Sequence, residues 1–201
     1  MIYRRHFLTF AAVPVVLLAA PAAHAQSTDK AAAFVKNTGE KLVAVVNGPG
    51  SISSKRAGMT QIIETDVDVD GIARFCLGRY WRTATPDQQK QYLQLFHQVL
   101  VTNITSKLGE YQGVTFTLLR SRNQDEEAVV STTVVRPNNP PTAVDWIIAN
   151  PVSDPKIIDV VAEGTSLRLT QRQDYASYLV HNNNNVDALI SAMRNQVSSN
   201  S

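Results

Sequence analysis

The chain has 201 residues, 19 Lys+Arg against 17 Asp+Glu, and a single Cys, with 44% apolar and 18% charged residues. That is enough chain for one ordinary domain with a real core, and the composition excludes disordered, collagen-like and multi-span membrane classes. Arg4 and Arg5 fall in an N-terminal segment without acids, so residues 26–201 carry 17 basic and 17 acidic groups. Such a balance, without a local basic run, leaves nothing to capture a phosphate backbone and argues against nucleic acid as a partner.

Residues 1–25 divide into a basic start, an apolar stretch from Phe7 to Ala20 interrupted by Pro14, and the small-residue end Ala23-His24-Ala25. The three regions predict a signal peptide cleaved before Gln26, leaving residues 26–201 as one exported domain. Arg4-Arg5-His6-Phe7-Leu8 also resembles a twin-arginine signal, so the export route stays open between the general and the twin-arginine pathways. No Cys near the cleavage point offers a lipid anchor, and no later run approaches a membrane span.

Apolar spacing from Asp29 to Val46 predicts an amphipathic helix, with Gly39 a potential break and Asn47-Gly48-Pro49-Gly50 its stop. A short helix follows over Ser53–Glu64. Another starts after Asp68 and carries Ile72, Phe75, Cys76, Tyr80 and Trp81 on its apolar side. Thr85-Pro86-Asp87-Gln88 has a capping Thr, Pro at the first helical position and Gln at the third, which opens a long helix. Its stripe of Tyr92, Leu93, Phe96, Val99, Leu100, Ile104 and Leu108 predicts an end near Tyr111-Gln112-Gly113.

The period then changes. Val114, Phe116 and Leu118 alternate with Thr115 and Thr117, and the branched run Val129–Val135 lies beyond Asn123-Gln124-Asp125-Glu126, which predicts a hairpin. Further strands are predicted over Ala143–Ala149 and Lys156–Ala162, with an extension through Leu167 and Leu169 after Gly164. Helices over Thr170–Val180 and Val186–Gln196 flank the polar turn Asn182–Asn185, and the tail Ser198–Ser201 should fray.

Catalytic patterns are weak. After export only His97 and His181 remain, without carboxylates or thiols at ligand spacing, and no nucleophile elbow or phosphate loop occurs. Asp66, Asp68 and Asp70 lack the Gly and terminal Glu of a calcium loop and read as helix caps. Cys76, between Phe75 and Leu77, reads as a small core residue. What the pattern does supply is apolar surface: Phe75, Tyr80, Trp81, Phe96 and Leu100 on helices, with Phe116, Trp146 and Ile148 on strands, face inward. Periodicity alone leaves open whether side chains or a ligand fill the space between the layers.

Leu77-Gly78-Arg79-Tyr80-Trp81-Arg82, then Thr85-Pro86-Asp87-Gln88-Gln89, resembles the MlaC-like, or toluene-tolerance, family of periplasmic lipid carriers. So does Asp159-Val160-Val161-Ala162-Glu163-Gly164-Thr165-Ser166-Leu167, followed by Arg172, Tyr175 and Leu179. The resemblance implies an α+β fold in which helices wrap a curved antiparallel sheet of about four strands and enclose an apolar pocket for acyl chains. Val114, Val144 and Val160 would join the eight inward residues as its lining. It further implies a periplasmic shuttle without catalytic turnover or cofactor, moving phospholipid between an outer-membrane lipoprotein-porin complex and an inner-membrane ABC transporter bearing an MCE-domain protein.

Two departures stand out: Asp154 and Pro155 precede Lys156 where the family commonly places Trp, and Thr170-Gln171 precede Arg172 where it often has Asn-Tyr. Together with Pro140-Pro141, Asp145-Trp146 and Pro155-Lys156-Ile157-Ile158-Asp159, these look more like the hopanoid-associated HpnM branch, whose cargo would be a triterpenoid lipid. Two other classes of function stay in view. An isomerase- or cyclase-like enzyme would use Asp145 or Asp159 as base, and an assembly factor would dock through Arg79, Arg82, Arg168 and Arg172.

Overall fold

The computed structural model describes residues 20–199, with side chains from residue 26 onward. The expected leader therefore lies outside the described residues apart from 20–25, which form the first turns of helix α1 (Ala20–Asn47). Ala31, Val35, Thr38 and Val46 lie buried along one stripe of α1, the spacing of a helix face turned to a core. The helix runs unbroken through Gly39. A mid-helix glycine costs about 1 kcal/mol relative to Ala, but here the missing side chain admits the Phe116 ring, whose Cζ lies 2.5 Å from where a Cβ would stand.

Helix α2 (Ile52–Asp66) starts at Ser51, whose side chain accepts from the Ser54 amide. Asp68 does the same for α3 (Val69–Leu77), accepting from the Gly71 amide. The single helix anticipated through Trp81 is instead two. Gly78 breaks it at φ 59°, ψ −128°, a conformation open only to glycine, and the short α4 (Tyr80–Thr83) follows. Helix α5 (Pro86–Thr105) carries the full capping box, Thr85 and Gln88 each bonding the other's backbone amide. It ends earlier than its apolar stripe implied, because the chain tightens into a 3-10 turn over Leu108–Tyr111 that still buries Leu108.

Five antiparallel strands follow in spatial order β1-β2-β3-β4-β5: β1 (Thr115–Gln124), β2 (Glu127–Val135), β3 (Thr142–Ala149), β4 (Lys156–Ala162) and the two-residue β5 (Thr165–Ser166). Register shifts at Leu119 and Ile158 mark bulges, which bend strands and curve the open sheet. The anticipated extension through Leu167 and Leu169 is helical. Ser166 accepts from the Leu169 amide and starts α6 (Leu167–His181), leaving both leucines exposed on its first turn. Asn183 and Asn184, at φ 55° and 56°, turn the chain into α7 (Val186–Ser199). Ser198 and Ser199 belong to that helix, and the last two residues lie outside the described set.

The interior is divided. Helices α3, α5, α6 and α7 close a large core around the mutually tilted rings of Tyr92, Phe96 and Tyr175, 5.9–6.3 Å between centroids. A smaller core lies between the N-terminal half of α1 and the sheet, built from Ala31, Val35, Ala128, Val130, Ile148 and Ile157. On the opposite sheet face Val129, Ile147 and Ile158 form a third cluster.

Candidate functional site

Helix α1 crosses the sheet beside β1, the edge strand, and a cleft of about 560 Å³ opens between them. Lys36, Glu40, Val43 and Ala44 form its helical wall, and residues 115–118 of β1 form the other. The volume lies within the range of small-molecule sites, and the walls are mostly apolar. Lys36 and Glu40 sit 3.9 Å apart at the rim with both side chains largely exposed, so their attraction is screened and worth only a few tenths of a kcal/mol.

The helical wall is positioned by a buried polar tie. Thr38 donates a 2.8 Å hydrogen bond to Asp66 Oδ2, and Lys41 Nζ lies 3.4 Å from the same oxygen. Asn47 fixes the far end, accepting from the Gly113 amide and donating to the Val114 carbonyl. The strand wall follows from alternation: Phe116 and Leu118 share the face toward α1, while Thr115 and Thr117 are exposed.

Of the eleven residues expected to line a lipid pocket, Phe116 alone lines this cleft. Phe75, Tyr80, Trp81, Phe96, Leu100 and Val114 pack in the helical core. Trp146, Ile148 and Val160 pack in the smaller core under α1. Val144, also buried, lies on β3 opposite Thr132 of β2 and belongs to neither. Thr132 accepts from Trp146 Nε1 at 2.9 Å and donates to the Val144 carbonyl, so the one buried hydroxyl on this face is satisfied. The helical-wall residues Lys36, Glu40, Val43 and Ala44 are not among those expected to line a pocket. Their i, i+4, i+7, i+8 spacing was visible, but it reads as the flank of the buried stripe until β1 is placed beside it.

Groups with catalytic potential sit elsewhere and are engaged structurally. Asp159 accepts from the Val160 and Arg168 amides and from the Ser166 hydroxyl, and Arg168 Nε lies 3.5 Å from it. It is thus bound into the start of α6 rather than held free as a base. Asp145 faces away from Val144 and Trp146 and lies 3.8 Å from Arg122. His97 Nε2 pairs with Asp70 at 2.9 Å, joining α5 to α3, and His181 bonds within α6. Burial pushes the Cys76 thiol up to about 12, so it stays protonated. Arg168 and Arg172 both stack over the Phe75 ring, at 4.8 and 4.7 Å. Among the described residues no three metal-donating side chains come together and no helix is long and apolar enough to cross a membrane.

The family model described as MlaC protein matches residues 36–195. The toluene tolerance protein Ttg2D of Pseudomonas putida is 25% identical over 141 residues, a stretch that covers 69% of this chain and 66% of that protein's length. Among solved structures, a phospholipid-binding protein from Ralstonia solanacearum, determined in complex with a phospholipid, superposes with a TM-score of 0.70 at 22% identity. That match covers 84% of this chain and 97% of the other, and it shows the shared α+β fold. The match spans both sides of the cleft and most of the chain, and the protein belongs to the MlaC family.

Proposed function

We propose that this MlaC-family chain is a periplasmic lipid carrier whose α1–β1 cleft admits the acyl chains of a phospholipid. The observation that carries the reading is the apolar-walled opening between helix layer and curved sheet, with charged Lys36 and Glu40 at its rim. Acyl chains would lie against Val43, Ala44, Phe116 and Leu118, leaving the head group near that rim. Burying a chain of roughly 16 carbons at about 0.8 kcal/mol per methylene yields on the order of 12 kcal/mol gross. Even after ordering costs, apolar contact is sufficient to retain a lipid without any catalytic group.

Residues 1–25 would act as the export signal. The carrier would exchange lipid with an outer-membrane lipoprotein complex and with an inner-membrane ABC transporter bearing an MCE-domain protein. The Ralstonia neighbour, solved with its phospholipid, supports this cargo class.

The test is native mass spectrometry of protein purified gently from its own periplasm, followed by organic extraction. A phospholipid mass is the expected result, and Ala44→Trp, which narrows the cleft from an exposed helical position, should lose it while remaining folded. A triterpenoid mass would transfer the assignment to hopanoid transport. Protein that carries no lipid and takes none from phospholipid vesicles would overturn the carrier reading.

A further inference from the structure

The two inner cores share Val67, and on the cleft side a seam separates them in which Phe116 stands. On α1, Val35 belongs to the smaller core and Leu42 and Val46 to the larger, with Gly39 between them. Along β1 and the residue before it, Leu118 packs with the smaller core and Val114 with the larger, with Phe116 between them. Phe116 belongs to neither cluster, and nor does Val144, which lies on β3 opposite Thr132. The ring instead meets the α1 backbone with its tip, its Cζ, Cε1 and Cε2 atoms 2.5–2.8 Å from where a Gly39 Cβ would be. Real Cβ atoms do not approach that closely, so only glycine permits this seat.

Phe116 is also the one cleft-lining residue on the seam. A phenyl ring seated tip-on against a glycine, half-buried and outside either packed core, gives up fewer packing contacts on changing rotamer than a fully packed ring does. We propose that Phe116 is a plug between the open cleft and the seam, and that an acyl chain passes inward by swinging the ring off Gly39. This inference rests on the carrier reading and deepens it. With the ring displaced, the cleft becomes continuous with the strip of sheet carrying Val134, Thr132 and Val144, which lie on the same face of β2 and β3. The chain then runs between the two cores, where Trp146 borders the seam through its bond to Thr132.

The experiment is stopped-flow transfer of a fluorophore-labelled phospholipid from phosphatidylethanolamine–phosphatidylglycerol vesicles to the full mature chain, with unfolding free energy measured in parallel. Phe116→Leu removes the ring's reach, and Gly39→Ala denies the ring its seat, so each should take up lipid about five-fold faster or more. Because both act on one contact, the double variant should be no faster than the quicker single one. A ring with a purely structural role would lower stability and leave the uptake rate alone. Native protein that binds lipid while both single variants load at its rate would overturn the plug and leave the carrier reading intact. Native protein that takes up no lipid would overturn both. Phe116→Met, which keeps apolar bulk without the ring, provides the same reading if the leucine variant does not fold.

Discussion

Thr38 Oγ1 donates a 2.8 Å hydrogen bond to Asp66 Oδ2, with both residues at 4% exposure or less. This bond ties α1, one residue before Gly39, to the last residue of α2, and so sets how closely the cleft's helical wall approaches the sheet.

Thr38→Val keeps the shape and removes the donor, leaving a buried carboxylate oxygen with only the more distant Lys41. The expected loss is about 1–3 kcal/mol of unfolding free energy, measured by urea denaturation. Native-like stability in the valine variant would show that Asp66 finds its compensation elsewhere.

Asp159 is a hub for α6, taking two amides and one hydroxyl with Arg168 close by. Asp159→Ala should therefore cost about 3 kcal/mol, since it strands a partly buried guanidinium and several donors. A variant that unfolds at the native midpoint would revive a functional, rather than structural, role for this carboxylate.

Gly78 sits where an L side chain is strained, with the Arg172 guanidinium 3.2 Å from a prospective Cβ. Replacing it with Ala should destabilise the protein by about 1–3 kcal/mol. The same change should disturb the Arg172 hydrogen bond to the Phe75 carbonyl, which hydrogen exchange over α3 and α6 would register.

Cys76 supplies a pH dependence whose sign is fixed by burial. Its thiol rises from 9.0 to about 12 in the native state. Above pH 9 the unfolded chain therefore releases a proton that the folded chain keeps. Stability should fall across pH 9–12, by up to about 1.4 kcal/mol per pH unit for this group. The phenols of Tyr92 and Tyr175, also raised by burial, act in the same sense from pH 10 upward. Denaturation profiles of Cys76→Ala should flatten between pH 9 and 10, and a profile unchanged by the substitution would rule out the thiol as its source.

Local signals were the most legible. Thr85-Pro86-Asp87-Gln88 and Asp68 start helices because their side chains answer the backbone amides within three residues, a bond that needs no tertiary partner. Alternation located β1, and a branched run located β2, because such residues suit a pleated surface whatever strand pairs with it. Leu167 and Leu169 misled because their alternation matched a strand, whereas the Ser166 cap and the Asp159 carboxylate start a helix there. Leu108 misled because it stays buried after α5 has already ended.

The sequence by itself determined the order of elements, the capping sites, the apolar faces and the family resemblance, since all of these are written in short-range spacing. Only the tertiary structure decided which apolar residues pack as core and which line a cleft. That distinction depends on the gap between α1 and β1, two segments with some 70 residues between them, and on a glycine that leaves room for a ring. Periodicity states which way a side chain points along its own element. It carries no measure of the distance to whatever lies opposite, and that distance separates a packed interior from a binding site.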